Sequence, residues 1–420
     1  MLLIYRYLTN LLFPVLIILV YFRIFLNKED KFRFKEKIFP SFFYSNKNPK
    51  KKLIWFHAAS IGEVSSIISL IKKLNTDDIN FLITSVTLTS GKLIEKELGS
   101  NQNLIHKYFP LDCYFLVNKF LSLAKPDIAM FVDSEIWPNF LFEIKKRKIP
   151  LVLINGRINK KTLNKWRIFP KISESIFKNF DLCLPSSRES ENNLRLLGAK
   201  NIKYIGNLKF NTSFISKRLD IENKNFLNSH KVWFASSTHK GEEIFCLNVH
   251  VKVKKIYNSL ITIIAPRHIS RIIEIENLSK TLNLKTQILN DGEKIIKNKE
   301  IIIINSFGVL SKYFDYCKSV FVGKSILKKL EAVGGQNPIE AAKCGCKVYH
   351  GPYVYNFNEV YEYLNSLGIT EIIETDKKLA DKLIEDFKDT KIIDENKVNK
   401  IDVYGEKILS DTIVELKQFI

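Results

Sequence analysis

Residues 53–64 read LIWFHAASIGEV: a nearly continuous apolar run, two small residues, then Ser60, Gly62 and Glu63. An apolar run without alternation fits a strand buried on both faces, as in a parallel sheet covered by helices. Ser60 followed by Glu63 has the spacing of a capping box, so a helix is expected to start there. Gly62 leaves the backbone amides of that start open to an anion or a sugar. Strand, turn and helix make the repeating unit of a doubly wound α/β sheet, whose ligands sit beyond the carboxyl ends of the strands.

The pattern recurs along the 420 residues. Further strand candidates in the first half are FLITSV (81–86), IAMFVD (128–133), LVLIN (151–155) and DLCLP (181–185). A second series follows with VWFAS (232–236), LITIIAP (260–266), IIIIN (301–305), SVFVG (319–323) and KVYHG (347–351). Two series imply two Rossmann-like α/β domains, with ligands expected in a cleft between them. The polar stretch 211–225 carries no strand signal and marks the break, giving domains over 27–215 and 216–400 and a C-terminal amphipathic helix over 401–420.

Residues 1–26 stand apart. Positions 11–22 are entirely apolar, Pro14 interrupts them, and Lys28, Lys31, Arg33, Lys35 and Lys37 follow. The run is short for a full span, lacks a small-residue cleavage site and is followed by cations suited to anionic headgroups. It reads as an uncleaved anchor, spanning or lying in the interface, with a cytoplasmic body; a buried core helix is the alternative. The chain has 65 Lys and Arg against 44 Asp and Glu, a formal net charge of +21, which favours polyanionic partners. A nucleic-acid-binding protein would fit the charge, but no interleaved basic and aromatic signature supports it. Six scattered cysteines match no zinc pattern and read as buried thiols in a reducing compartment.

The unusual residues fall just after strands. DSEIWPN (133–139) places two carboxylates, including Glu135, ahead of a rigid Trp137-Pro138 platform. NGRI (155–158) offers Arg157 to a carboxylate or phosphate, and GNLKFN (206–211) offers Lys209 near the domain junction. In the second half, ASSTHKGEE (235–243) sets Ser237, Thr238 and His239 at a helix start, and PRH (266–268) adds Arg267 and His268 as an anion clamp. GGQNPIEAA (334–342) has Asn337 as N-cap, Pro338 at the first helical position and Glu340 three residues past the cap. Each motif alone also has an ordinary structural reading; together they suggest an anionic donor held by the second domain. No P-loop, G-x-S-x-G or H-E-x-x-H is present.

In order and spacing, HAASIGE, DSEIWPN, NGRI, GNLKFN, SSTHKGEE, PRH and GGQNPIEAA resemble the transferases of 3-deoxy-D-manno-octulosonic acid (Kdo), which build the lipopolysaccharide inner core. The resemblance implies a GT-B fold. It also implies metal-independent, inverting transfer of Kdo from CMP-Kdo to a phosphorylated lipid A precursor, by an enzyme anchored in the inner membrane and facing the cytoplasm. It assigns the catalytic base to Glu36 in KFRFKEKIF (31–39); Glu135 in DSEIWPN is the second candidate for an acid in the cleft. Arg267 and His268 would meet the donor phosphate, and Asn337 and Glu340 the phosphate and ribose. Ser60, Gly62, Glu63, Arg157 and Lys209 are expected to bind the acceptor or an anion. No cofactor beyond the donor substrate, no metal and no nucleic-acid partner is expected. The chain departs from the family pattern at Phe39, Lys324, Gln336, Asn305 and Val309, and around 328–333, where residues appear inserted. A GT-B enzyme using another nucleotide sugar is the nearest alternative.

Overall fold

The computed structural model describes residues 2–45, 50–212, 219–306, 308–389 and 395–420. Its apolar runs form two wholly parallel sheets. In the first, β1 (Lys52–His57), β2 (Ile79–Ser85), β3 (Leu104–Tyr108), β4 (Ile128–Val132), β5 (Leu151–Gly156) and β6 (Leu182–Pro185) take the order β3-β2-β1-β4-β5-β6. The second contains β7 (Lys231–Thr238), β8 (Leu260–Pro266), β9 (Thr286–Leu289), β10 (Ile301–Ile304), β11 (Ser319–Val322), β12 (Lys347–His350) and β13 (Thr370–Ile372), ordered β13-β12-β11-β7-β8-β10-β9. Helices connect the strands, as parallel pairing requires. Together the two sheets give the two doubly wound domains that the strand series implied, in keeping with the GT-B fold that the resemblance implied.

Strands β3, β9 and β13 carried no signal in the sequence. All three lie at sheet edges. An edge position relaxes the need for an unbroken apolar run, and the burial of β3 is only partial over most of its length; β6, also at an edge, keeps a fully buried apolar run and was legible.

The chain divides into two compact units, residues 1–213 with 404–420, and residues 214–403. The boundary expected at 215 and 216 lies outside the described residues. The last helix, Glu395–Leu416, begins earlier than expected. Its residues from 404 onward count with the first unit, where the Tyr404 ring meets Phe210 edge-on at 5.0 Å.

The core of the first unit centres on Trp55, fully buried among Phe120, Phe131 and Phe140. Its indole N–H donates to Thr84 Oγ1 at 2.9 Å, so the ring enters the core without an unpaired polar atom. Trp233, Phe321 and Tyr349 hold the matching place in the second unit. Each such side chain contributes roughly 1.5–3 kcal/mol through burial.

The N-terminal apolar run folds as two helices, Leu2–Leu11 and Phe13–Phe25, bent by 54°. Pro14 stands in the first turn of the second helix, where its missing N–H costs nothing. Among the described residues no single helix is long and apolar enough to cross a membrane, whereas this bent pair passes on length and composition together. Polar contacts fix one side of the first helix: the Tyr5 hydroxyl donates to Asp112 at 2.8 Å and Arg6 to Glu143 at 2.6 Å. Leu3, Tyr7, Leu11, Ile18, Phe22 and Phe25 are exposed.

Candidate active site

In the first unit, the ends of β1, β4 and β5 bring together the residues singled out on its motifs. Asp133 follows β4 in a left-handed conformation, with φ of 60°. Its carboxylate accepts from Arg157 Nε at 3.0 Å and pairs with Lys209 Nζ at 3.7 Å. Asn155, also left-handed, accepts the Leu208 N–H at 3.0 Å and so fastens the Lys209 segment to the end of β5. Burial lowers the Lys209 pKa, against the opposing pull of Asp133. Glu135 accepts from the Trp137 indole at 2.8 Å and lies 3.2 Å from His57 Nε2.

Glu63 does not form the expected capping box. The Ser60 hydroxyl donates to its carboxylate at 2.7 Å, and the returning backbone donor is Ala59 N, also at 2.7 Å, rather than Ser60 N. Burial, then repulsion from Asp133 and Glu135, pushes Glu63 up to about 7. A carboxyl group that titrates near neutrality can give or take a proton at working pH. Gly62 is exposed on the first turn of the same helix, and a Cβ there would meet no atom within 4 Å.

Glu36 belongs to a neighbouring arrangement. Its helical turn, Lys35–Ile38, presents the carboxylate to Arg33 in a two-pronged contact with both distances 3.0 Å, to the Tyr108 N–H at 2.8 Å and to Lys107 at 3.4 Å. A substrate hydroxyl would compete with these donors. Lys37, the next residue, donates to Val86 O, and Val86 N donates to Ala59 O, so the segment abuts the turn after β1.

The second unit has its own cluster at the ends of β7, β8 and β11. A register shift between Ser236 and Thr238 sets Ser237 in a left-handed conformation. Thr238 Oγ1 is fully buried with no hydrogen-bond partner among the described residues. Arg267 and His268, just past β8, are exposed, and their side chains form no ion pair among the described residues. The His239 and His268 rings face each other edge-on at 5.8 Å; burial lowers the His239 pKa. This group collects donors suited to an anion.

One residue here carried no assignment in the sequence reading. Glu242 is fully buried, and its two carboxylate oxygens accept backbone N–H groups from His239 at 2.8 Å, Lys324 at 2.5 Å, Ser325 at 2.8 Å and Ile326 at 3.2 Å. It ties the loop after β7 to the loop after β11. Burial raises its pKa, while the four N–H donors oppose that shift. Gly323 lies beside it, and a Cβ there would stand 2.7 Å from Thr238 Cα. His57 likewise went unassigned, although it opens the HAASIGE motif; its pairing with Glu135 depends on strand neighbours 78 residues apart.

GGQNPIEAA makes a helix of only five residues, Ile339–Lys343. The helix starts one residue later than expected, with Pro338 rather than Asn337 at its N-cap; the Asn337 side chain accepts the Ile339 N–H at 3.1 Å in the turn that leads in. Glu340 does not return to the cap. Burial pushes its carboxyl group up to about 7. Tyr361 donates to Gln336 O at 3.0 Å and holds the preceding backbone. No group of three His, Cys, Asp or Glu suited to a metal ion occurs among the described residues.

Residues 33–212 match the family model described as 3-deoxy-D-manno-octulosonic-acid transferase (kdotransferase). A 3-deoxy-D-manno-octulosonic acid transferase of Rickettsia bellii is 27% identical over 352 residues, covering 83% of this chain and 82% of its own. One from Aquifex aeolicus is 27% identical over 390 residues, covering 93% and 99%. The chain is thus similar to the Kdo transferases, a glycosyltransferase family, along most of its length. The fold is shared more widely: Anabaena HepE, solved with UDP and glucose, superposes with a TM-score of 0.57 at 13% identity, covering 88% of this chain and all of that one. The stretch matched by the Kdo transferase model takes in Glu36, Ser60, Gly62, Glu63, Glu135, Arg157 and Lys209.

Proposed function

We propose that this protein transfers Kdo from CMP-Kdo to a phosphorylated lipid A precursor, lipid IVA, with inversion and without a metal, at the cytoplasmic face of the inner membrane. The observation that carries the reading is the similarity to named Kdo transferases along 83% and 93% of the chain. Glu36 is the proposed base, with Glu135 as the second candidate. Departure of CMP would be assisted by fixed donors: Arg267, His268 and the backbone around Ser237, Thr238 and His239, with Asn337 and Glu340 meeting phosphate and ribose. Arg157, Lys209 and the Ser60–Glu63 turn would meet the acceptor. The bent apolar pair supports attachment to the membrane, and the net charge of +21 suits an anionic leaflet, donor and acceptor alike.

The test is a transfer assay with purified protein, CMP-Kdo and tetraacylated lipid A precursor, read by mass spectrometry. A product heavier by Kdo is expected. Its absence where a known Kdo transferase succeeds would overturn the proposal, and transfer from a UDP-sugar instead would redirect it to another GT-B activity.

A further inference from the structure

Away from the N-terminal helices, one turn places large apolar side chains in water without a partner. The helices Lys160–Arg167 and Pro170–Phe177 meet at Ile168 and Phe169, which are 67% and 57% exposed. The base of the turn is anchored: Leu163 is buried, and Trp166 meets the core residue Phe177 edge-on at 5.5 Å. Pro170 opens the second helix and fixes the break, so the exposed pair sits at a rigid corner.

The corner lies in a cationic stretch of the chain. Residues 159–171, NKKTLNKWRIFPK, contain five Lys and Arg and no acid. Lys161, Lys165, Arg167 and Lys171 form no ion pair among the described residues. An apolar tip flanked along the chain by exposed cations complements an anionic headgroup layer over hydrocarbon. Moreover, the helix Pro138–Lys146 packs against both Leu2–Leu11 and Pro170–Phe177, so the turn and the bent apolar pair belong to one helical layer of the first unit.

We propose that the Ile168–Phe169 turn docks on an anionic lipid surface, a second membrane contact that fixes how the first unit faces the bilayer. Its purpose rests on the lipid-acceptor reading above, but its test needs no sugar transfer, so the two can fail separately. The full chain carrying Phe169→Cys is labelled with an environment-sensitive fluorophore, with the unsubstituted chain as the labelling background. It is then mixed with vesicles of phosphatidylcholine alone or with phosphatidylglycerol added. The emission should shift to the blue with the anionic vesicles and far less with neutral ones. Lys161→Gln/Lys165→Gln/Lys171→Gln should weaken the binding behind that response on the order of 100-fold, the combined effect of removing three cations from an anionic surface. Aqueous emission from the label while the protein sediments with anionic vesicles would overturn the proposal, because the N-terminal pair alone would then hold the membrane. An equal response to neutral and anionic vesicles would refute the role of the cations.

Discussion

Replacing Glu242 by Gln tests whether one buried carboxylate organises the donor-side loops. The side chain is fully buried and accepts four backbone N–H groups, two on each oxygen. An amide keeps one acceptor, so the Ser325 and Ile326 bonds can persist, while its NH2 faces the His239 and Lys324 donors. Two charge-assisted bonds are lost, each worth about 1.5–3 kcal/mol. Relief from burying the charge, visible in the raised pKa, offsets part of this. A net loss of about 2–3 kcal/mol remains, which is roughly a 30- to 150-fold increase in local opening. Hydrogen exchange followed by mass spectrometry, on peptides spanning 236–243 and 323–327, should show that loss of protection, and titration with CMP should show weaker binding. Glu242→Ala, which abandons all four donors, should open further. If Glu242→Gln exchanges and binds CMP like the parent, the carboxylate does not hold these loops.

Three further outcomes follow from the first unit. Glu36→Gln should bind donor normally but lose turnover by about 100- to 10,000-fold if Glu36 is the base; full activity would transfer the role to Glu135. The raised pKa of Glu63 makes its ionisation unfavourable to the fold, so stability should fall as pH rises from its ordinary 4.5 to about 7. Urea denaturation across that range should show a shallower fall in Glu63→Gln than in the parent, and parallel curves would count against the shift. Glu29 lies between Arg23 and the buried Lys37, at 2.7 Å and 2.5 Å. Removing its charge by Glu29→Gln should cost about 3–5 kcal/mol by stranding Lys37, and Glu29→Gln/Lys37→Met should recover most of it in the same denaturation assay.

The central strands were legible because a parallel strand covered on both faces has to be apolar along its length, as LIWFH and IIII are. The edge strand LIHKY escapes that requirement and was missed. The placing of the motif residues past strand ends was legible because the apolar runs before them were. Their partners were not. Spacing along the chain suggested that Glu63 and Glu340 close capping boxes, yet Glu63 bonds Ala59 N and Glu340 bonds neither cap residue.

Composition and order of residues thus determined two doubly wound sheets, an apolar N-terminus and a set of strand-end motifs, since these depend on local periodicity and on what a buried face excludes. Only the tertiary structure decided which charges meet. Asp133 with Arg157 and Lys209, His57 with Glu135, and Glu242 with the loop after β11 join positions 24 to 84 residues apart. Strand order sets those meetings, and burial then moves the carboxyl groups of Glu63 and Glu340 to about 7, a change that no residue's identity carries by itself.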